Sequence, residues 1–186
     1  MDTFKVTAGM YQYTAVDDCS RVRVLGLYPR RAAKYSIDFL VNRVLEEMPF
    51  PIQRLQTDRG GEFFALSFQA TLREYAIRFR PIPPRSPHLN GKVERSQHTD
   101  WVEFYATADL ADPDLALRLE EWQFFYNWQR PHTSLNGLTP MERCCALLPQ
   151  TPDTEEIYTQ YALTPERYQE QTYYLDRQLR ELKRSL

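Results

Sequence analysis

Apolar and polar positions alternate near the start of the chain, where Tyr11, Tyr13 and Ala15 are separated by Gln12 and Thr14. Successive side chains of a strand point to opposite faces, so this period predicts a half-buried strand. Val22 to Tyr28 is rich in β-formers and follows the polar run Asp17-Asp18-Cys19-Ser20-Arg21, which predicts a hairpin. Asp2 to Val6 is expected to form a strand before it. The period then changes: Ala33, Ile37, Leu40, Val41, Val44, Leu45 and Met48 fall on one face of a helix that Pro49 and Pro51 stop. Ile52 to Thr57 reads as a buried strand ending at Asp58. Ala65, Phe68, Leu72 and Tyr75 mark another helix, and Ile77 to Phe79 a short strand. A proline-dense loop (Pro81, Pro83, Pro84, Pro87) leads to a helix holding Glu94. The order βββαβαβα predicts an α/β fold, a central mixed sheet of five strands, three antiparallel first, flanked by helices. Asp2 then lies on the first strand, Asp58 at the end of the fourth and Glu94 on a helix packed beside them.

Farther along, Leu115, Leu119, Trp122 and Tyr126 make an amphipathic helix expected to pack on the sheet, ended by Arg130-Pro131-His132. His132 reads as a structural cap or hydrogen-bond partner. The expected organisation is a core over residues 1–149, an acidic, irregular linker over 150–163, and an amphipathic C-terminal helix over 164–186. Thr164-Pro165-Glu166 is a helix start, and Leu175, Leu179, Leu182 and Leu186 form its stripe. That helix either folds back on the core or pairs with a second copy.

A chain of 186 residues with 42% hydrophobic and 13% aromatic residues suffices for one domain with a real core plus an appendage. Cys19, Cys144 and Cys145 form no disulfide framework, and His88, His98 and His132 lack zinc-ligand spacing, so a reducing cytosol and no structural zinc are expected. No apolar run follows a basic stretch at the start and no 18 apolar residues run together, so neither a signal peptide nor a membrane span is expected. The formal net charge is -2, but residues 1–100 carry a balance of +4 and residues 101–186 one of -6. Counterion release from phosphates needs only a local basic surface, so the overall balance does not exclude DNA.

Asp58 opens Thr57-Asp58-Arg59-Gly60-Gly61-Glu62-Phe63, and Glu94 follows 35 intervening residues later in Ser86-Pro87-His88-Leu89-Asn90-Gly91-Lys92-Val93-Glu94-Arg95. Each has a bland explanation. An aspartate before two glycines is commonly a turn former, and a glutamate after an Asn-Gly cap is commonly a solvated first-turn acid favoured by the helix dipole. Asp17 and Asp18 are a rival carboxylate pair, and Glu62 reads as support for Asp58 or as surface. Taken with Tyr11 to Arg21, Tyr126-Asn-Trp-Gln-Arg-Pro-His-Thr-Ser-Leu135 and Leu138-Thr-Pro-Met-Glu-Arg143, however, the strings resemble, in order, the integrase core of the DDE superfamily. The resemblance covers about Asp2 to Arg143 and points to the transposases of bacterial insertion sequences, relatives of the retroviral integrases.

The resemblance implies a ribonuclease-H-like fold, two Mg²⁺ or Mn²⁺ ions held by Asp2, Asp58 and Glu94, and phosphoryl transfer that nicks element ends and joins them to target DNA. Cleavage by water or a DNA 3'-hydroxyl develops charge on the attacking and leaving oxygens, which two metals about 3.5 to 4 Å apart can clamp. Mg²⁺ prefers hard oxygen ligands and keeps several waters, so three carboxylates suffice. Arg59, Arg85, Lys92 and Arg95 are candidate contacts to DNA phosphates. The implied partners are double-stranded DNA and further copies of the chain, with helix-turn-helix domains upstream in the full-length protein, in a bacterial cytoplasm. Trp101 stands where relatives carry Lys or Arg, seven positions after the glutamate, and is expected in the core; His98 takes another commonly basic position. Asp2 directly after Met1 suggests a cropped first strand with weakened metal binding. The rival functions are an impaired DNA-binding or oligomerising fragment and a simple ribonuclease H.

Overall fold

Three strands open the chain and pair antiparallel in the order β1 (Asp2–Thr7), β2 (Met10–Val16), β3 (Arg23–Tyr28). The computed structural model describes residues 1–164 and residue 169. Two more strands, β4 (Arg54–Thr57) and β5 (Arg78–Pro81), pair parallel to each other, with Arg54 opposite Arg78. The expected single five-stranded sheet is therefore two hydrogen-bonded ladders, one of three strands and one of two. They meet where the Met1 ammonium donates to the Gln56 carbonyl at 2.6 Å, and one such bond does not make a ladder.

Strand alternation sorts the helices into two layers. Tyr13, Ala15 and Val24 face one core, shared with α1 (Ala33–Phe39), its π-helical continuation Leu40–Val44 and α2 (Leu45–Glu47), and with α3 (Gly61–Phe64) and α4 (Leu66–Glu74). The opposite parity, Phe4, Val6, Leu25 and Leu27, faces a second core. That core is closed by α5 (Gly91–Asp100), its π-helical continuation Trp101–Tyr105, and α6 (Leu115–Trp128). Each large side chain wholly buried here contributes about 1.5–3 kcal/mol relative to exposure, so losing the parity would cost the whole layer. Asp2 shares the parity of Phe4 and Val6 and so faces the α5 layer, whereas Thr3 faces the other.

β3 is an edge strand, and its outward backbone groups are satisfied by α6. The Asn127 amide accepts from Arg23 N at 3.0 Å and donates to Arg23 O at 2.7 Å, imitating a neighbouring strand, and Gln123 accepts from Leu25 N at 2.5 Å. A short 3-10 turn and the hairpin-like segment to Leu138 lead to α7 (Pro140–Leu147), where Thr139 and Glu142 form a capping box with Pro140 just inside the helix. The string Leu138-Thr-Pro-Met-Glu-Arg143 is thus a helix start. Residues 154–163 are not an irregular linker: α8 (Thr154–Leu163) begins in a second capping box, Asp153 with Glu156. The acidity read as a linker signal is that of a helix N-terminus, where carboxylates favour the dipole. Arg78 of β5 holds the far end of α8, donating to Gln160 O and Thr164 O at 3.0 and 2.9 Å. Apart from Thr164 and Gln169, the helix expected over 164–186 lies outside the described residues.

The contact that orients α5 is a buried ion pair. Arg23 and Asp100 are both fully buried, with Nη1 to Oδ1 2.6 Å apart. Nη1 also donates to Ser96 Oγ at 3.0 Å, and the guanidinium lies over the Tyr126 ring at 3.3 Å. Asp100 accepts from Trp122 Nε1 at 2.7 Å and Gln12 Nε2 at 2.8 Å, and Gln12 accepts from Tyr105 OH at 2.7 Å. The wide π turn brings residues five apart toward one side, so Asp100 and Tyr105 both reach Gln12. Burial lowers the Arg23 pKa while the charge of Asp100 raises it, so the pair stands or falls together. Asp100→Ala, which strands a buried guanidinium, is expected to cost about 3–5 kcal/mol in urea unfolding. A loss below about 1 kcal/mol would show that Tyr126 and Ser96 suffice for Arg23.

Candidate functional site

Asp2, Asp58 and Glu94 stand on three elements that the fold brings to one end of the strands. Asp2 begins β1 opposite Thr14 of β2 and is buried; its Oδ1 accepts from Thr3 N at 2.8 Å. Asp58 follows the last residue of β4, where its Oδ1 accepts from Gly60 N at 3.0 Å in an Asx-type turn. Glu94 lies exposed in the first turn of α5, after a 3-10 turn over Pro87–Asn90. Gln56 of β4 fixes that turn by donating to Leu89 O at 2.8 Å.

One amide joins two of the carboxylates. Asn90 is the N-cap of α5, a place where its side chain would ordinarily accept from the helix backbone, but it makes no capping bond. Nδ2 donates instead to Asp2 Oδ2 at 3.0 Å and to Glu94 Oε1 at 3.2 Å, a hydrogen-bond donor standing between two anions. The third carboxyl is coupled through charge. The Asp58 pKa is raised by burial first and, against the lowering by the Gly60 N–H, by the negative charges of Asp2 and Glu62; Arg31 lowers it. Glu62, left between support and surface by the sequence, is buried and accepts from Thr3 Oγ1 at 3.0 Å. A Cβ at Gly60 would come 2.7 Å from the Glu62 carboxylate, so a larger residue there requires that side chain to shift.

The arrangement is a gathering of acids without enough positive charge, which suits hard cations held by oxygen ligands. Among the described residues no three His, Cys, Asp or Glu side chains close on a common metal position. The oxygen donors are of the kind a divalent ion takes, but here the Asn90 amide stands between Asp2 and Glu94. His132 is no proton shuttle for this site: it is buried, packs edge-on against Tyr126 at 4.5 Å, and burial reinforced by the charges of Arg130 and Arg23 lowers its pKa to about 4. His132 stands at the N-cap of the 3-10 turn Thr133–Leu135 but makes no side-chain capping bond, and its Nε2 has no hydrogen-bond partner among the described residues, so packing takes the place of the capping role expected for it.

The candidate DNA contacts fare unequally. Lys92 is engaged inside the molecule, 2.5 Å from the Asp18 carboxylate and donating to Asp18 O at 3.2 Å. The Arg59 guanidinium lies over Phe64 at 5.0 Å and reaches Ile82 O at 3.5 Å, bracing the loop after β5. Arg85 and Arg95 are exposed, Arg85 with a positive φ of 62°. Asp17 holds the β2–β3 turn, accepting from Ser20 N at 2.7 Å, so the rival acidic pair is structural. Trp101 is not in the core: it is 48% exposed at the edge of Phe4 and Tyr105. Asn90 was legible only as a cap, and the bond from Thr3 to Glu62 had no local signal at all.

Two family models described as an integrase core domain match the chain, one over residues 1–87 and one over 75–140. The putative integrase ORF3 of Spiroplasma virus SpV1-C74 is 28% identical over 155 residues, 74% of this chain and 42% of the relative. The chain thus spans less than half the length of that relative. Among solved structures, the catalytic core domain of BIV integrase superposes with a TM-score of 0.59 at 16% identity, covering 76% of this chain and 90% of that one. The HTLV-2 integrase catalytic core domain, a trimeric form in complex with magnesium, gives 0.60 at 17%, covering 75% and 88%. A simian T-cell lymphotropic virus intasome in complex with the PP2A regulatory subunit B56 gamma gives 0.58 at 20%, covering 70% and 47%. At these identities the likeness is one of fold.

The raised pKa of Asp58 has a consequence for stability. The folded state binds the Asp58 proton more tightly than the unfolded chain, so the ionised carboxylate costs stability above its folded pKa and nothing below the unfolded value of about 3.9. Without metal, Asp58→Asn is expected to raise the unfolding midpoint at pH 7, with the gain vanishing as pH falls toward 3. An equal gain at both pH values would show that ionisation is not its source.

Proposed function

Since this chain belongs to the integrase core domain family and has its ribonuclease-H-like fold, we propose that it is the catalytic core of a DNA transposase or integrase, cutting phosphodiester bonds and joining DNA strands with bound divalent metal. The observation that carries this reading is the convergence of Asp2 and Glu94 on one amide with Asp58 within charge range. Asp2, Asp58 and Glu94 would hold Mg²⁺ or Mn²⁺. Such ions, when bound, stabilise charge on the attacking and leaving oxygens of the transfer. The chain's own residues do the positioning: Gly60 N–H fixes Asp58, Asn90 spaces Asp2 from Glu94, and the Arg23–Asp100 pair sets the helix on which Glu94 rides. His132, buried and with its pKa lowered by that burial, is not the group that takes the proton of the attacking water or 3'-hydroxyl.

Double-stranded DNA is the substrate in this reading, both as element end and as target, and several copies of the chain assemble to hold two ends. Recognition of the end belongs to helix-turn-helix segments beyond these residues, in a bacterial cytoplasm. No helix among the described residues is long and apolar enough to cross a membrane. A second reading, a DNA-binding or oligomerising fragment without turnover, is favoured by the absence of a closed three-carboxylate group among the described residues.

Joining of a labelled duplex end to plasmid in the presence of Mn²⁺ separates the two. Metal-dependent products are expected from the parent chain, falling to background in Asp58→Asn and Glu94→Gln. Products that persist in both variants would remove these carboxylates from the reaction, and DNA binding without products from any of the three chains would leave only the second reading.

A further inference from the structure

We infer that the loop joining β3 to α1, with Arg30, Arg31 and Lys34, is a docking surface for the phosphate backbone of DNA beside the carboxylate site. The inference rests on the DNA reading above and goes beyond it by assigning the cations. Arg30, Arg31 and Lys34 are all exposed, and among the described residues none of them has an acidic partner. No acid occurs from Pro29 to Ile37, and Asp38 is occupied by Tyr28 OH at 2.7 Å and Asn42 Nδ2 at 2.8 Å. This contrasts with Lys92, whose charge Asp18 neutralises within the fold.

The loop is built rather than merely charged. Tyr13 is fully buried on β2, and its hydroxyl accepts from Ala32 N at 3.1 Å and donates to Arg30 O at 3.3 Å. One core side chain thus fixes the backbone on both sides of Arg31. The Arg31 guanidinium lies 6.0 Å from the centre of the Tyr11 ring, and Lys34 Nζ 4.5 Å from that of Tyr35. Beneath them Tyr28 packs against Tyr13, Tyr35 and Phe39. Cations held this way lose little freedom when they meet phosphate, which is the cost that weakens contacts from floppy side chains. The surface also adjoins the carboxylates: Tyr13, which fixes the loop, stands opposite Thr3, the neighbour of Asp2 and the donor to Glu62, and α1 packs on α3, the helix that follows Asp58. A strand reaching the carboxylates adds negative charge where acids already crowd, and this loop supplies the opposite sign at that border.

The test is anisotropy titration of a labelled random-sequence duplex with the full chain, in EDTA, over a range of salt. The triple variant Arg30→Ala, Arg31→Ala, Lys34→Ala is expected to bind about tenfold or more weakly at low salt, and its log K against log[salt] slope to be shallower by about 2–3, near 0.9 for each phosphate no longer neutralised. Arg30→Lys with Arg31→Lys keeps the charge and is expected to keep the slope, which a purely structural role for the guanidinium groups would not predict. Arg118→Ala, removing an exposed cation of α6, serves as the comparison and is expected to leave the slope unchanged. A triple variant indistinguishable from Arg118→Ala overturns the inference, as does a parent chain that binds no DNA. Because binding is read without metal or turnover, an inactive chain that still binds through this loop refutes the catalytic reading alone.

Discussion

The geometry of the site depends on one buried pair of charges, Arg23 on the edge strand and Asp100 at the end of α5. Burying both removes two ions from water, a cost that their mutual attraction offsets only when the remaining lone pairs and protons are satisfied. Here Gln12 and Trp122 donate to Asp100 and Ser96 accepts from Arg23 Nη1, while Arg23 Nε and Nη2 have no hydrogen-bond partner among the described residues and the guanidinium lies over the Tyr126 ring; these groups come from different elements or turns. Strands β2 and β3 and helices α5 and α6 are thereby locked to one another in a single arrangement. A helix packed only by apolar contact could slide or rotate at modest cost; one held by a directional network cannot. Glu94, exposed on its surface six residues before Asp100, inherits its position from this core.

At the site itself the fold does the opposite of satisfying charge. Asp2, Asp58 and Glu62 are brought near one another, burial raises the Asp58 pKa, and a single amide stands between Asp2 and Glu94. Arrangements of this kind cost folding stability and persist because the surrounding structure over-determines them. Gly60 shows the constraint in the sequence: with any larger residue, the Glu62 carboxylate would have to move. The cations that balance this acidity lie around it, on the β3–α1 loop, with Arg59 and Lys92 engaged in holding loops in place.

The motif strings turn out to have separate physical reasons. Thr57 to Phe63 is an Asx turn feeding a short helix, Asn90-Gly91 starts the helix that carries Glu94, and Asn127 within Tyr126 to Leu135 completes an edge strand. Thr139 to Glu142 is a capping box. The chain shares the fold of the BIV and HTLV-2 catalytic cores at under 20% identity. Identity is low because most positions need only the right polarity and volume, whereas turns, caps and the carboxylates need particular atoms.

Periodicity alone determined the elements that are regular and one-sided: β2 and β3, the helix from Ala33 to Met48, α4 and α6 appear where the spacing puts them, because a period of 2 or 3.6 is a local property of the chain. The places of Asp58, just after a strand, and of Glu94, in the first turn of a helix, were also legible through the strings around them. Where the reading failed, distant partners decided. Residues 154–163 form α8, held at its far end by Arg78 of β5. Trp101, at the start of a π turn, is exposed and meets the core at Phe4 and Tyr105. Five strands divide into two ladders because β1 and β4 meet at Met1. Lys92 and Arg59 look like free cations in the sequence and are tied to Asp18 and Phe64 in the fold. Local preference specifies which residues turn, coil or alternate; which charge meets which is a matter of three-dimensional neighbours, and only tertiary packing chooses those.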